Sequence, residues 1–177
     1  MNTSEIHQAL LEQFGSDAIT GVDLETIDGW IDIAADAIVE VGTWLRDEDR
    51  FAFEHLNNLC GVDYCEPDPK KSKSFDHEPR LEVVYHLSSY THKHRLTLKV
   101  RLPRWQGDVT GELPEIPSVS GVWAIADWHE REAYDMFGIR FTGHPNLRRI
   151  LCPEDWEGFP LRKDYEFPLE YHGIRGR

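Results

Sequence analysis

Residues 128–165 contain the densest group of ionisable and aromatic side chains in this sequence. Three carboxylates fall within six residues, and two pairs of basic residues follow them. These residues are Glu130, Glu132, Asp135, Arg148, Arg149, Arg162 and Lys163. Carboxylates spaced this closely can act as a general acid and base, and they can equally form ion pairs that hold a loop in place. Which chemistry applies depends on the elements that position them.

A stand-alone enzyme is one interpretation of this segment. Glu130 or Glu132, buried and with a raised pKa, could act as a general acid or base. His129 and His144 could bind a metal ion together with an acid, although the zincin motif would need a second histidine where the sequence has Ala133. The glycines are too scattered for a phosphate-binding loop, and no nucleophile accompanies the carboxylates. These absences weigh against the enzymatic interpretation.

The composition is that of a globular domain with an uneven distribution of charge. The net charge of −13 lies in the first 79 residues, which hold 18 acids and 5 Lys or Arg, whereas residues 80–177 hold 14 of each. Such an acidic half argues against general binding of nucleic acid, which requires clustered cations. Cys60, Cys65 and Cys152 show no spacing typical of a metal site or a disulfide framework. No signal peptide and no transmembrane helix are predicted.

Local patterns predict helices and strands ahead of this segment. The first helix should be capped by Thr3 or Ser4 and should end at Gly15. The elements expected after it are strands at 18–22 and 30–33 and helices at 35–48 and 51–60. The polar residues 66–79 predict a mobile surface loop that leads into the clearest pair of strands in the chain.

Residues 81–102 predict a β-hairpin with one buried face. Apolar residues alternate with polar ones on both strands, at Leu81, Val83, Tyr85, Leu87, Leu96, Leu98, Val100 and Leu102. The outer face of the second strand is basic, at Arg95, Lys99 and Arg101. These cations can pair with acids such as Glu82 or meet an acidic partner protein, and the sequence leaves both open. His92 and His94 lie near the turn, where we expect both to be exposed.

A helix is predicted at 122–137, and it places its carboxylates in different environments. Glu130 falls on the apolar stripe of this helix, and the sequence leaves open whether it is buried and paired. A buried carboxylate is costly without a partner, and we consider Arg148 and Arg149 as candidates. Three other charged residues are spaced four apart and can form alternative ion pairs: Asp127, Arg131 and Asp135.

The order and spacing of residues in this segment resemble the 30-kilodalton subunit family of the proton-pumping NADH–quinone oxidoreductase, respiratory complex I. The matching positions are Glu130, Arg131, Glu132, Asp135, Gly138, Gly143, His144, Pro145, Arg148, Arg149, Gly158, Pro160, Leu161, Arg162, Lys163, Asp164 and Tyr165. The resemblance extends over about residues 30–168, and it is weak in residues 1–29.

The resemblance implies a fold and a division of the chain. We expect an α+β domain over residues 1–150, with a mixed or antiparallel sheet covered by helices. Residues 151–177 would then form an extended C-terminal tail that docks on partner subunits.

The resemblance also implies an assembly role rather than a catalytic one. Family members bind no cofactor themselves, whereas their complex uses FMN, iron–sulfur clusters, NADH and quinone. The partners implied are the quinone-site subunit and the subunit that holds the terminal iron–sulfur cluster, on the cytoplasmic side of the inner membrane and without membrane insertion. The motif residues would form ion pairs within the domain, and residues 160–165 would lie along the quinone-site subunit. Related membrane-bound hydrogenases and ferredoxin- or deazaflavin-linked oxidoreductases contain an equivalent subunit, and this alternative stays open.

Overall fold

The computed structural model describes residues 1–68, 70–71 and 78–176, and it has the α+β architecture that the sequence predicts. A five-stranded mixed sheet has the strand order β1-β2-β5-β4-β3 and is accompanied by two short strand pairs. Strands β2 and β5 are parallel, and the other neighbours in this sheet are antiparallel. The elements are α1 (Thr3–Ala18), β1 (Ile19–Asp23), β2 (Trp30–Ile33), α2 (Ile38–Asp47), β3 (His55–Tyr64), β4 (Arg80–Ser88), β5 (Arg95–Leu102), β6 (Glu115–Pro117), α3 (Ala126–Phe137), β7 (Arg140–Thr142), β8 (Glu170–Tyr171) and β9 (Ile174–Arg175).

Helix α1 begins with a capping box formed by residues other than the expected ones. Asn2, rather than Thr3 or Ser4, is the N-cap: its side chain accepts a hydrogen bond from the backbone N–H of Glu5, and the Glu5 carboxylate accepts one from the Asn2 N–H. Gly15 leaves the helical conformation with φ of +77°, as a stop signal should, but helical residues resume after it. The two strands predicted after this helix are present as β1 and β2.

The predicted helix at 51–60 is wrong, because these residues lead into strand β3. Strand β3 pairs with β4 along its ten residues, and a bulge lies between Leu56 and Asn58. The bulge places two exposed residues between the buried Leu56 and Leu59. Apolar residues three apart are typical of a helix, so a local irregularity in a strand imitated helical spacing.

The predicted hairpin at 81–102 is confirmed as strands β4 and β5, whose inward residues face one another in register. The basic face of β5 is paired within the sheet. Arg101 lies 2.9 Å from an Asp32 oxygen, and both Lys99 and Arg101 lie 3.9 Å from the buried Glu82 carboxylate, which also accepts from Arg80 at 2.8 Å. Pairing with acids on neighbouring strands therefore accounts for Lys99 and Arg101.

His94 is buried, contrary to our expectation that both hairpin histidines are exposed. Its ring stacks on Phe53 at a centroid distance of 4.6 Å, and its Nε2 donates to the Phe51 carbonyl at 2.8 Å. His92 is exposed, and its Nε2 donates to the Asp49 carbonyl at 2.7 Å. The two rings attach the hairpin turn to the segment that precedes β3.

Two predicted helices begin later than their patterns suggest. The helix expected at 35–48 is a 3-10 turn (Ala35–Ala37) followed by α2. The helix expected at 122–137 begins at Ala126, because Trp123 belongs to the preceding turn, where its indole N–H donates to the Phe53 carbonyl. In the part of the chain that the structure describes, no helix is long and apolar enough to cross a membrane.

Helix α3 packs on strand β3 at a position that only glycine can occupy without displacement. A Cβ added at Gly61 would lie 2.6 Å from Cδ2 and 2.9 Å from Cγ of Phe137.

We expect Gly61→Ala to lower the free energy of unfolding by about 1–3 kcal/mol, because the end of α3 must move. Urea unfolding of the full chain, followed by circular dichroism, measures this change.

Gly121 provides the matched control, since a Cβ there would have no heavy atom within 4 Å. Gly121→Ala should change the free energy of unfolding by less than about 0.5 kcal/mol. Equal effects of the two substitutions would contradict the tight packing of α3 on β3.

Candidate functional site

Helix α3 carries three of the four acidic residues of the motif, Glu130, Glu132 and Asp135, and it ends at a glycine that the local geometry requires. Gly138 has φ of +67° and ψ of +43°, and its N–H donates to the Tyr134 carbonyl. A Cβ at this position would lie 2.5 Å from the ring of Phe159. The left-handed conformation and the close ring together exclude larger residues here.

Asp135 is the anchor of the loop that returns to the end of α3. One of its carboxylate oxygens accepts from three consecutive backbone N–H groups, those of residues 150, 151 and 152, at 2.9, 2.7 and 3.0 Å. The other oxygen accepts from Nη1 of Arg149 at 2.7 Å. Burial alone would raise the pKa of Asp135, but these four donors hold it below its ordinary value. Asp135 is therefore a structural carboxylate that is kept ionised.

Glu130 is buried, with 0% of its surface exposed, and its partners are not arginines. The Ser118 hydroxyl donates to it at 2.6 Å and the Val119 N–H at 2.7 Å. Burial raises the pKa of Glu130 to about 7, because the charged form loses its hydration. The expected pairing with Arg148 or Arg149 is wrong, since Arg149 binds Asp135 and Arg148 is exposed.

His144 connects the loop after β7 to the first turn of α3. Its Nδ1 accepts from the Asn146 N–H at 3.0 Å, so its Nε2 carries the proton that is donated to the Asp127 carbonyl at 3.1 Å. The same Nε2 lies 3.0 Å from an Asp127 carboxylate oxygen and 3.9 Å from Glu130. Among the residues described, no three His, Cys, Asp or Glu side chains are grouped to hold a metal ion, so His129 and His144 are not assembled into the metal site considered above.

Arg131 does not form the ion pairs that its spacing suggests. Its guanidinium lies over the Trp128 ring at 4.7 Å, while the carboxylates of Asp127 and Asp135 contact His144 and Arg149 instead. Glu132 is exposed. The expectation of ion pairs within the domain is therefore met only by the Asp135 carboxylate among the acids of α3.

A second charged cluster, which sequence reasoning missed, joins three distant parts of the chain. Arg104 donates to both oxygens of Asp63, at 3.0 and 2.9 Å, and to both oxygens of Asp164, at 3.0 and 2.7 Å. The backbone N–H of Lys163 also donates to Asp63, at 2.8 Å. Asp164 belongs to the family motif, but nothing in the local sequence connects it to strand β3 or to the segment after β5.

The rest of the motif surrounds these two clusters. Gly158 has φ of +78°, and its carbonyl accepts from Nη2 of Arg149 at 2.8 Å; a Cβ there would lie 2.8 Å from the Tyr165 ring. The Leu161 N–H donates to the Met136 carbonyl, and Nε of Arg162 donates to the Phe137 carbonyl at 2.7 Å. Gly143 has φ of +81°, Pro145 is exposed and Pro160 is half-buried.

Comparison with known proteins identifies the class of fold and then the family. One chain of the membrane-bound sulfane sulfur reductase, an archaeal respiratory membrane complex, superimposes with a TM-score of 0.56 at 24% sequence identity. The match covers 92% of this chain and 85% of that one, and at this identity it shows a shared fold only.

The sequence model of the family described as "Respiratory-chain NADH dehydrogenase, 30 Kd subunit" matches residues 31–171, and the chain belongs to this family. The resemblance carried by the motif is thereby confirmed. The corresponding subunit of the NADH-quinone oxidoreductase of Chlorobium phaeobacteroides is 43% identical and is matched over 98% of both chains. That of Roseiflexus sp. is 48% identical over 87% of this chain and 79% of its own. That of Chloroherpeton thalassium is 42% identical, and the match spans 96% of this chain but only 63% of the relative.

The four bonds of Asp135 suggest a direct test of its anchoring role. Asp135→Asn keeps the size of the side chain but places an NH2 group among N–H donors and removes the charge that pairs with Arg149. We expect the free energy of unfolding at pH 7 to fall by about 3 kcal/mol. Chemical denaturation measures it, and Glu132→Gln on the exposed side of the same helix should cost less than about 0.5 kcal/mol. A small and equal loss in both variants would show that Asp135 does not anchor the loop.

Glu130 should make stability depend on pH in a defined direction. Its folded-state pKa of about 7 lies above the ordinary value of 4.5, so the folded chain holds this proton more tightly. The stability that this proton contributes is fully present below about pH 4.5 and is lost as the pH rises through 7. Glutamine cannot ionise, so the stability of Glu130→Gln relative to the parent chain should increase by up to about 3 kcal/mol between pH 4.5 and 8.

Denaturation midpoints of both chains across this pH range measure the difference, with Glu132→Gln as the control. Parallel curves for Glu130→Gln and the parent chain would contradict the raised pKa.

Proposed function

We propose that this chain is a cofactor-free subunit of the peripheral arm of a proton-pumping NADH–quinone oxidoreductase, on the cytoplasmic side of the inner membrane. It would brace the quinone-site subunit and the subunit that holds the terminal iron–sulfur cluster. In this role it supports electron transfer from NADH through FMN and the clusters to quinone without carrying a reacting group. Its family membership and the names of its relatives support this proposal.

The observation that carries the proposal is the use of three motif carboxylates, those of Glu130, Asp135 and Asp164, in contacts within the chain. Asp135 is fully occupied by four donors, and Arg104 binds the carboxylates of both Asp63 and Asp164. Glu130, whose raised pKa would suit a general acid or base, is sealed from solvent by its surroundings. A catalytic acid must reach its substrate, so these carboxylates support a structural role better than an enzymatic one.

The surface that follows α3 supports docking on other proteins. Large apolar side chains are exposed along residues 151–176, at Leu151, Leu161, Phe167, Leu169 and Ile174. Exposed apolar side chains concentrated in one segment of chain suit contact with another protein. We therefore assign residues 151–177 to partner docking, and residues 1–150 to the domain that supports it.

An equivalent role in a related membrane-bound hydrogenase or ferredoxin- or deazaflavin-linked oxidoreductase is the second candidate. The shared fold with a chain of an archaeal respiratory complex favours it. The two candidates differ in the partners that the chain would contact, so the identity of the co-purifying proteins separates them.

Affinity purification from detergent-solubilised membranes tests the proposal. The tagged chain should recover the quinone-site and cluster-bearing subunits together with NADH:quinone activity. Recovery of a hydrogenase-like assembly would favour the second candidate, and recovery of the chain alone would overturn both.

Leu169 tests the docking surface itself, since its side chain is 88% exposed. We expect Leu169→Lys to leave the unfolding of the isolated chain unchanged but to weaken recovery of the partner subunits by about tenfold, which corresponds to about 1.4 kcal/mol of binding free energy. Ile27→Lys is the matched control, because Ile27 is fully exposed and lies before the family match at 31–171. Equal recovery with both variants would exclude Leu169 from the interface.

A further inference from the structure

Arg162 is a buried cation that has no acidic partner of its own among the residues that the structure describes. Only 5% of its surface is exposed. Its guanidinium lies 3.8 Å from the centroid of the Trp105 ring and 5.3 Å from that of Phe159, and its Nε donates to the Phe137 carbonyl. Its Nη1 and Nη2 atoms are buried and find no acceptor within the described residues.

The acids nearest to Arg162 are already engaged. Asp63 and Asp164 both contribute to its electrostatic environment, but each is bound through two oxygens by Arg104. Arg104 therefore takes the two carboxylates that Arg162 could have used, and it adds a second positive charge beside it.

This arrangement is unfavourable in the isolated chain. Burial first, and then the charge of Arg104, lower the pKa of Arg162 to about 10, so the guanidinium stays charged at neutral pH. A buried charge without a counterion or hydrogen-bond acceptors is among the costliest features that a fold can contain. The two aromatic faces compensate part of this cost through cation–π contacts, but they offer no acceptor for the N–H groups.

We infer that Arg162 is a binding residue, and that its Nη1 and Nη2 groups receive a carboxylate from an acidic side chain of an adjoining subunit. The inference rests on the proposed function and gives the docking surface a chemical requirement: the partner must present an Asp or Glu side chain to the segment 159–163.

Three features of the surroundings favour a protein carboxylate. The two Nη groups form a planar fork that matches the two oxygens of a carboxylate. The rings of Trp105 and Phe159, which contact the guanidinium, are only half-buried, so they are themselves part of the surface that a partner would meet. The flanking Leu161 is exposed, which suits contact with a protein better than contact with a free anion.

Replacement of Arg162 by methionine should have opposite effects on the free chain and on the assembly. Arg162→Met keeps an apolar side chain of similar length between the two rings. It removes the unpaired charge, which offsets the loss of the hydrogen bond to the Phe137 carbonyl, so the unfolding temperature of the isolated full chain should be unchanged or higher. In membranes of cells that express only the tagged variant, recovery of the partner subunits should fall by about tenfold or more, because the partner carboxylate is left unpaired. Arg162→Lys, which keeps the charge without the fork, should restore less than half of the recovery.

Arg140→Met is the control, because Arg140 is exposed and its ion pair with Glu115 is of the surface type that contributes little. It should change neither measurement. If Arg162→Met destabilises the free chain as strongly as it reduces the recovery of partner subunits, the guanidinium is satisfied within the domain and the inference is wrong.

Two further outcomes separate the inference from the proposed function. If the parent chain recovers its partners and Arg162→Met recovers them equally well, the inference is wrong and the proposed function stands. If the parent chain recovers no partner, the proposed function itself has failed. Inorganic phosphate that raises the unfolding temperature of the free parent chain, but not of Arg162→Met, would point to a free anion and overturn the assignment to a partner carboxylate.

Discussion

The ionised carboxylate of Asp135 is the interaction on which the functional half of this chain depends. Residues 150–152 lie in no helix or strand, so their backbone N–H groups need acceptors from elsewhere. A single buried carboxylate supplies all three, and its charge makes these hydrogen bonds stronger than neutral ones. Further hydrogen bonds to backbone carbonyls then hold the next part of the chain, toward the C-terminus, in place. Their donors are Arg149, Leu161 and Arg162.

Charged side chains join distant segments of the chain in this protein. The Asp135 cluster connects α3 to the loop that follows β7, and the Arg104 cluster connects strand β3 to the segment around Asp164. Each cluster contains one buried carboxylate, that of Asp135 or Asp63, paired with a planar guanidinium group, and this pairing fixes orientation as well as distance. A family motif rich in Glu, Asp and Arg can therefore specify a shape, although its composition resembles that of an active site.

Some of the fold could be predicted from the sequence, because its determinants are local. The alternation of residues 81–102 identified the hairpin, and the spacing within residues 128–165 identified the family. Strand β3 could not be recognised, since the bulge beside Leu56 breaks the alternation on which strand prediction depends.

The partners of the buried charges were equally inaccessible from the sequence. Glu130 binds Ser118 and Val119, which precede it on a different segment, and Arg104 binds acids 41 and 60 residues away. Helical spacing put Glu130 on the apolar stripe of its helix, but it carries no information about which groups the folded chain brings against the carboxylate. Side-chain partners of this kind are set by the tertiary fold rather than by neighbours in sequence.

The parallel pairing of β2 with β5 has a consequence for the synthesis of the chain on the ribosome. Residues 30–32 of β2 can pair with residues 97–99 of β5 only after β5 has been synthesised. Until then, β1 and β2 lack the central strand of the sheet. The ion pair between Arg104 and Asp164 can form only after that, once residue 164 has also been made. The segment that we assign to docking is therefore joined to the domain after the central strand of the sheet has been made.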